Sequence, residues 1–118
     1  MTDTILADMQ LSDVTCSCVI NAPLERVDVA TWLCKLSEGE YRRCCPPDHI
    51  SCGTTLTDEG KPLVINVEMI GHALMIQRYV LETATPTSCK LVSVSEAFTP
   101  NGRTRVQVIR TLNVKKDR

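Results

Sequence analysis

From Ile50 to Val114 the chain alternates apolar and polar residues almost without a break, and no other feature constrains its fold as tightly. Ile50, Cys52, Thr54 and Leu56 alternate up to the turn-forming group Asp58-Glu59-Gly60-Lys61, and Leu63, Ile65, Val67 and Met69 alternate after it. Successive side chains of a strand point to opposite faces, so this spacing predicts a β-hairpin. Gly71-His72 breaks the pattern before a run over 74–82, and Thr85-Pro86-Thr87 separates that run from one over 89–98. Thr99-Pro100-Asn101-Gly102 then leads into 104–114, which makes the region an antiparallel meander. Upstream, Val14, Cys16, Cys18 and Ile20 alternate in the same way and predict a leading strand, about six in all.

Between that first strand and the meander the period changes. Asn21-Ala22-Pro23-Leu24-Glu25 combines a capping residue, a proline suited to a first helical turn and an acid at the positive end. Leu24, Val27, Ala30, Leu33 and Cys34 then fall at helical spacing, with Val29, Trp32 and Leu36 widening the stripe. The main helix is therefore expected within 21–36, with Pro23 in its first turn. Ser37 and Glu40 have the spacing of a capping box, which predicts a short second helix through about Arg43, ended by Pro46-Pro47. The fold class expected is α+β, a curved antiparallel sheet of about six strands with one or two helices inserted after strand one. At 118 residues there is no length for a second core, so residues 1–12 read as a loose arm and 13–118 as one domain.

Charge and cysteine usage narrow the function classes. A formal charge of -1 with acids and bases interspersed provides no field for nucleic acid or an anionic membrane. Lys115, Lys116 and Arg118 read as a solvated tail. No apolar run is long enough to span a bilayer, and the first residues lack a basic stretch followed by an apolar one, so the expected location is cytoplasmic. Seven cysteines, an odd number in core-like contexts, are expected to be reduced. Cys44, Cys45, His49 and Cys52 have the atoms to hold zinc but not the separated pairs of a structural site, so no metal is expected. Phosphate-cradling, dinucleotide, nucleophile-elbow and zinc-protease motifs are absent, and no cofactor is expected.

The stretch Ile20-Asn21-Ala22-Pro23-Leu24-Glu25-Arg26-Val27, with Glu40-Tyr41-Arg42-Arg43 and Gly53 downstream, resembles the Bet v 1-like, START-related superfamily, which includes polyketide cyclases and plant carriers of hydrophobic molecules. The resemblance covers roughly 13–115. It implies a helix-grip fold holding an apolar small molecule between helix and curved sheet. That superfamily commonly closes the grip with a long C-terminal helix, whereas this sequence ends four residues after its last strand-like residue, Val114.

A pocket of this kind is mostly apolar with a few orienting polar groups. The candidates are Glu68, His72, Arg78, Tyr79, Glu96 and Arg110 on strands or strand ends, with Trp32 and Tyr41 from the helices. Arg78 and Arg110 each share an apolar row, and Glu68 and Glu96 are their natural partners, since a buried guanidinium must be paired. Three readings follow: a binder of an apolar small molecule; an enzyme of cyclase, dehydratase or isomerase type in which His72, Tyr79 or a glutamate moves a proton; and a homodimer. The homodimer is motivated by the row Val106, Val108, Leu112 and Val114, which no later helix covers.

Overall fold

A computed structural model describes Ile5 and residues 8–116. Among them lies one antiparallel sheet in sequential order, β1 (His49–Leu56), β2 (Pro62–Ile70), β3 (Ala73–Ala84), β4 (Ser88–Thr99) and β5 (Gly102–Asn113). The meander read from the alternation is therefore present, with β1 and β5 at the edges. Ile70 pairs with Ala73, leaving a two-residue loop in which Gly71 has φ +60. A tight hairpin whose first central residue needs positive φ takes glycine there without steric cost.

Two expectations upstream are corrected. The predicted helix over 21–36 is two pieces, a 3-10 turn at Leu24–Arg26 and α1 at Val29–Lys35, with Pro23 capping the 3-10 turn from outside. Val27 is extended, and the Asp28 carboxylate accepts from Thr31 N at 3.0 Å and from Thr31 Oγ1 at 2.8 Å, so the true helix start is Asp28. Those two bonds hold the Asp28 carboxyl below its usual range. The strand expected from Val14 to Ile20 forms no ladder, which leaves five strands among the described residues. Val14 and Val19 are 78% and 77% exposed, and Cys16 and Cys18, expected in the core, are exposed too. Alternation tells which residues would share a face, but a strand also needs a neighbouring backbone to bond. The second helix is where it was predicted: α2 spans Glu38–Cys44, and Ser37 Oγ accepts from Glu40 N at 3.1 Å.

No helix among the described residues is long and apolar enough to cross a membrane. All seven cysteines are free thiols. Arg118 and most of the first seven residues fall outside the described part.

The two faces of the sheet differ. On the inner face Val64, Tyr79, Leu81, Cys89 and Leu91 form the core, and Val29, Ala30, Leu33 and Cys34 lay α1 on it. Val29 N donates to Pro86 O at 2.9 Å and ties the helix start to the β3–β4 loop. The outer face carries Leu63, Ile65, Val67 and Met69 on β2, Leu74, Ile76 and Val80 on β3, and Val92, Val94 and Phe98 on β4. The helices lie on the other face, and these residues are shielded chiefly by one another. The row Val106, Val108, Leu112 and Val114, expected to be the uncovered one, belongs instead to the inner side, where Val108 packs on the core. On the opposite face no helix covers the β2 and β3 rows, which are half-buried, and Val94 and Ile109 are exposed; on the inner row of β5 Leu112 is exposed as well.

Candidate functional site

Glu68 collects the functional side chains of the inner face. It sits on the inner row of β2, only 8% exposed, and a carboxylate so buried needs partners. Three elements supply them. Tyr41, on the buried side of α2, donates its hydroxyl to Glu68 Oε2 at 3.1 Å. His49, the first residue of β1, places Nε2 3.2 Å from the same oxygen. Arg110 reaches across the inner face from β5, with Nη2 3.9 Å from Oε1. The Tyr41 and His49 rings are stacked, centroids 3.8 Å apart and planes within 5°. Burial first, and the Glu68 charge second, push the Tyr41 phenol well above its ordinary range, so Tyr41 is a donor throughout the physiological range.

His49 Nδ1 lies 2.7 Å from Tyr41 O, and because a carbonyl only accepts, Nδ1 is the donor in that contact. The other ring nitrogen, Nε2, is the one that faces Glu68 Oε2.

Beside this cluster β3 presents Gln77 and Tyr79, each 1% exposed. Gln77 Oε1 and the Tyr79 hydroxyl have no hydrogen-bond partner. Burial raises the Tyr79 phenol, and the Arg110 guanidinium, 5.2 Å from the ring centroid, opposes that shift. Opposite, Ser93 Oγ accepts from Arg78 N at 3.0 Å and lies 2.7 Å from Ser95 Oγ. The covered face of the sheet thus holds a glutamate, a glutamine, two serines and a tyrosine hydroxyl.

An open groove of about 560 Å3 runs between residues 9–14 and β5, walled by Val106, Val108 and Arg110 on its inner side. Arg110 is half exposed, so it joins the groove to the buried cluster. A wider groove of about 880 Å3 lies beyond α2, lined by Gly39, Arg42, Arg43, Pro46, Pro47, His49 and Ile50. It touches the cluster only through His49, whose two ring nitrogens are already engaged.

The sequence candidates therefore separate. Tyr41, Glu68, Tyr79 and Arg110 come together on the inner face. Arg78 and Glu96 pair on the outer face at 2.7 Å, with Arg103 on the other Glu96 oxygen at 2.8 Å. His72 is exposed in the β2–β3 turn, and Trp32 is 53% exposed on α1, away from the cluster. Arg78 and Arg110, read as equivalent, point to opposite sides: Arg78 stands on the row of Ile76, which is registered with Glu96 on the outer face, whereas Arg110 is registered with Leu91 on the inner face. Sequence reading missed His49 and Gln77 as members. In the sequence His49 stands among cysteines, whereas its carboxylate partner lies across the β1–β2 pair. Gln77 stood in the sequence as a polar residue on the row of Met75, Tyr79 and Leu81, and that position was its signal. Among the described residues no group of three or more His, Cys, Asp and Glu side chains is gathered as for a metal ion.

No family model, curated protein or solved structure matches the chain. The likeness to Bet v 1-like proteins rests on the residues quoted for it alone.

Proposed function

We propose that the chain is a cytoplasmic helix-grip binder of a small amphipathic molecule, which lies along the inner side of β5 and places a carboxylate or carbonyl oxygen on Arg110. The observation that carries this reading is the groove of about 560 Å3 along the β5 edge, which has the Arg110 side chain in its lining together with Val106 and Val108. Its volume falls within the range of about 300–1,000 Å3 usual for small-molecule sites. Val106, Val108, Met9 and Leu11 offer apolar wall, and a planar guanidinium suits a two-oxygen acceptor. Glu68, 3.9 Å away, orients the arginine but leaves room for a second acceptor. The proton-moving role considered for His72 finds no support in its exposed turn.

Calorimetric titration with decanoate, and with decane-1-ol as the uncharged control, tests the reading. Saturable binding of decanoate, weakened about tenfold or more in Arg110→Gln as expected for loss of one charge-assisted contact, would support it. Equal affinity of the wild type and Arg110→Gln, or no saturable binding, would contradict it.

A further inference from the structure

We propose that a second copy of this chain covers the outer face, packing sheet against sheet about a two-fold axis over the apolar rows of β2 and β3. The first argument is composition. Leu63, Ile65, Val67 and Met69 follow one another on β2 without a polar interruption, and β3 adds Leu74, Ile76 and Val80 beside them. A monomer seldom leaves contiguous apolar patches above a few hundred Å2 to water.

Size is the second argument. Five strands spaced about 4.8 Å apart and about 35 Å long present roughly 800 Å2, the area one partner contributes to a standard stable interface. Two such faces stack about 10 Å apart, as the layers of a sandwich do.

The third argument is charge. Arg78 stands among the apolar residues, but its guanidinium is held by Glu96 at 2.7 Å, and Glu96 is held again by Arg103 at 2.8 Å. A facing copy therefore desolvates a paired group rather than a lone charge. The outer row of β2 carries no charge at all, and the outer side of β5 brings Arg103, Arg105 and Gln107. An axis over β2 and β3 sets the uncharged β2 row against the facing copy and leaves Arg103 and Arg105 toward the rim, while Arg78, registered beside Ile65, enters the patch as a group already paired with Glu96. An axis over β4 and β5 would oppose arginine to arginine. A patch meeting its own copy is also the commonest closed assembly.

Sedimentation velocity of the full chain at micromolar concentration should show a species of twice the 13.1 kDa chain mass. Ile65→Lys should raise the dissociation constant by about a hundredfold or more, the scale of burying one unpaired ammonium. Leu56→Lys, at the 65% exposed end of β1, should leave it unchanged. Should Ile65→Lys fail to fold, dilution of wild-type protein with labelled isoleucine methyls replaces it, and the Ile65 and Ile76 signals should move. A monomer at every concentration, a dimer indifferent to Ile65→Lys, or dilution shifts confined to other methyls would overturn the proposal.

Discussion

The inner and outer faces of this sheet do not divide simply into a buried apolar side and an exposed polar one. The inner face lies beneath the helices yet carries Glu68, Gln77, Ser93 and Ser95, all buried. The outer face lacks a helix yet carries the longest apolar row of the chain, Leu63 to Met69 on β2. A covered face that keeps polar groups is suited to hold something with polar groups of its own, and an uncovered face that is apolar is suited to be covered. Burial by helices and apolar composition are separate properties, and the contrast assigns the two faces different partners.

The largest effect expected from this comparison is in the core. Leu81→Ala removes a side chain 3% exposed and should cost about 2–5 kcal/mol in urea unfolding, whereas Val94→Ala, 42% exposed on the outer face, should cost well under half of that in the monomer. Equal costs would break the distinction. Tyr41→Phe comes next: it removes the hydroxyl from Glu68 Oε2 and should cost about 1–3 kcal/mol, the penalty for leaving a buried acceptor short of a donor.

The rows of the meander and the Ser37 cap were legible because they depend on neighbours in the chain, two residues apart in a strand and three apart at a helix start. Which row the helices cover was not legible. The row beginning at Leu63 is more apolar than the row beginning at Val64, yet α1 packs on Val64. Helix placement is decided by the connection through Asp28, Val29 and Pro86, a contact across the fold that leaves no periodic trace. Glu68 and Glu96 were legible as the carboxylates for Arg78 and Arg110, which stand on mainly apolar rows, but which carboxylate meets which arginine depends on the sheet register. His49 was not, since its ring finds Glu68 only when β1 has paired with β2. The segment Val14 to Ile20 has a strand's pattern and no partner for its backbone, which sequence alone does not register.

A smaller effect sharpens the inner-face account. Gln77→Met removes the unpartnered Oε1 and keeps the volume, so it should stabilise the ligand-free protein by about 1 kcal/mol in the same urea experiment. A loss of stability would mean that Oε1 has a hydrogen-bonding partner in solution. The smallest effect is on the outer face and depends on pH. Arg103 first and Arg78 second hold the Glu96 carboxyl below its ordinary value of 4.5, so the charge pairs stabilise the fold fully above that value. Their contribution is lost as the pH falls through the lowered value. Wild type and Glu96→Gln should therefore differ in melting temperature at neutral pH and approach each other in acid below 4.5, with high salt shrinking the gap.

The division between the faces is tested most directly by methyl spectra of the intact protein, first titrated with decanoate and then diluted without it. Decanoate should move the signals of Val106 and Val108, on the inner side of β5, and dilution should move those of Ile65, Val67 and Ile76 on the outer face. One set of methyls responding to both treatments, or inner methyls responding to dilution while outer ones answer decanoate, would contradict the account.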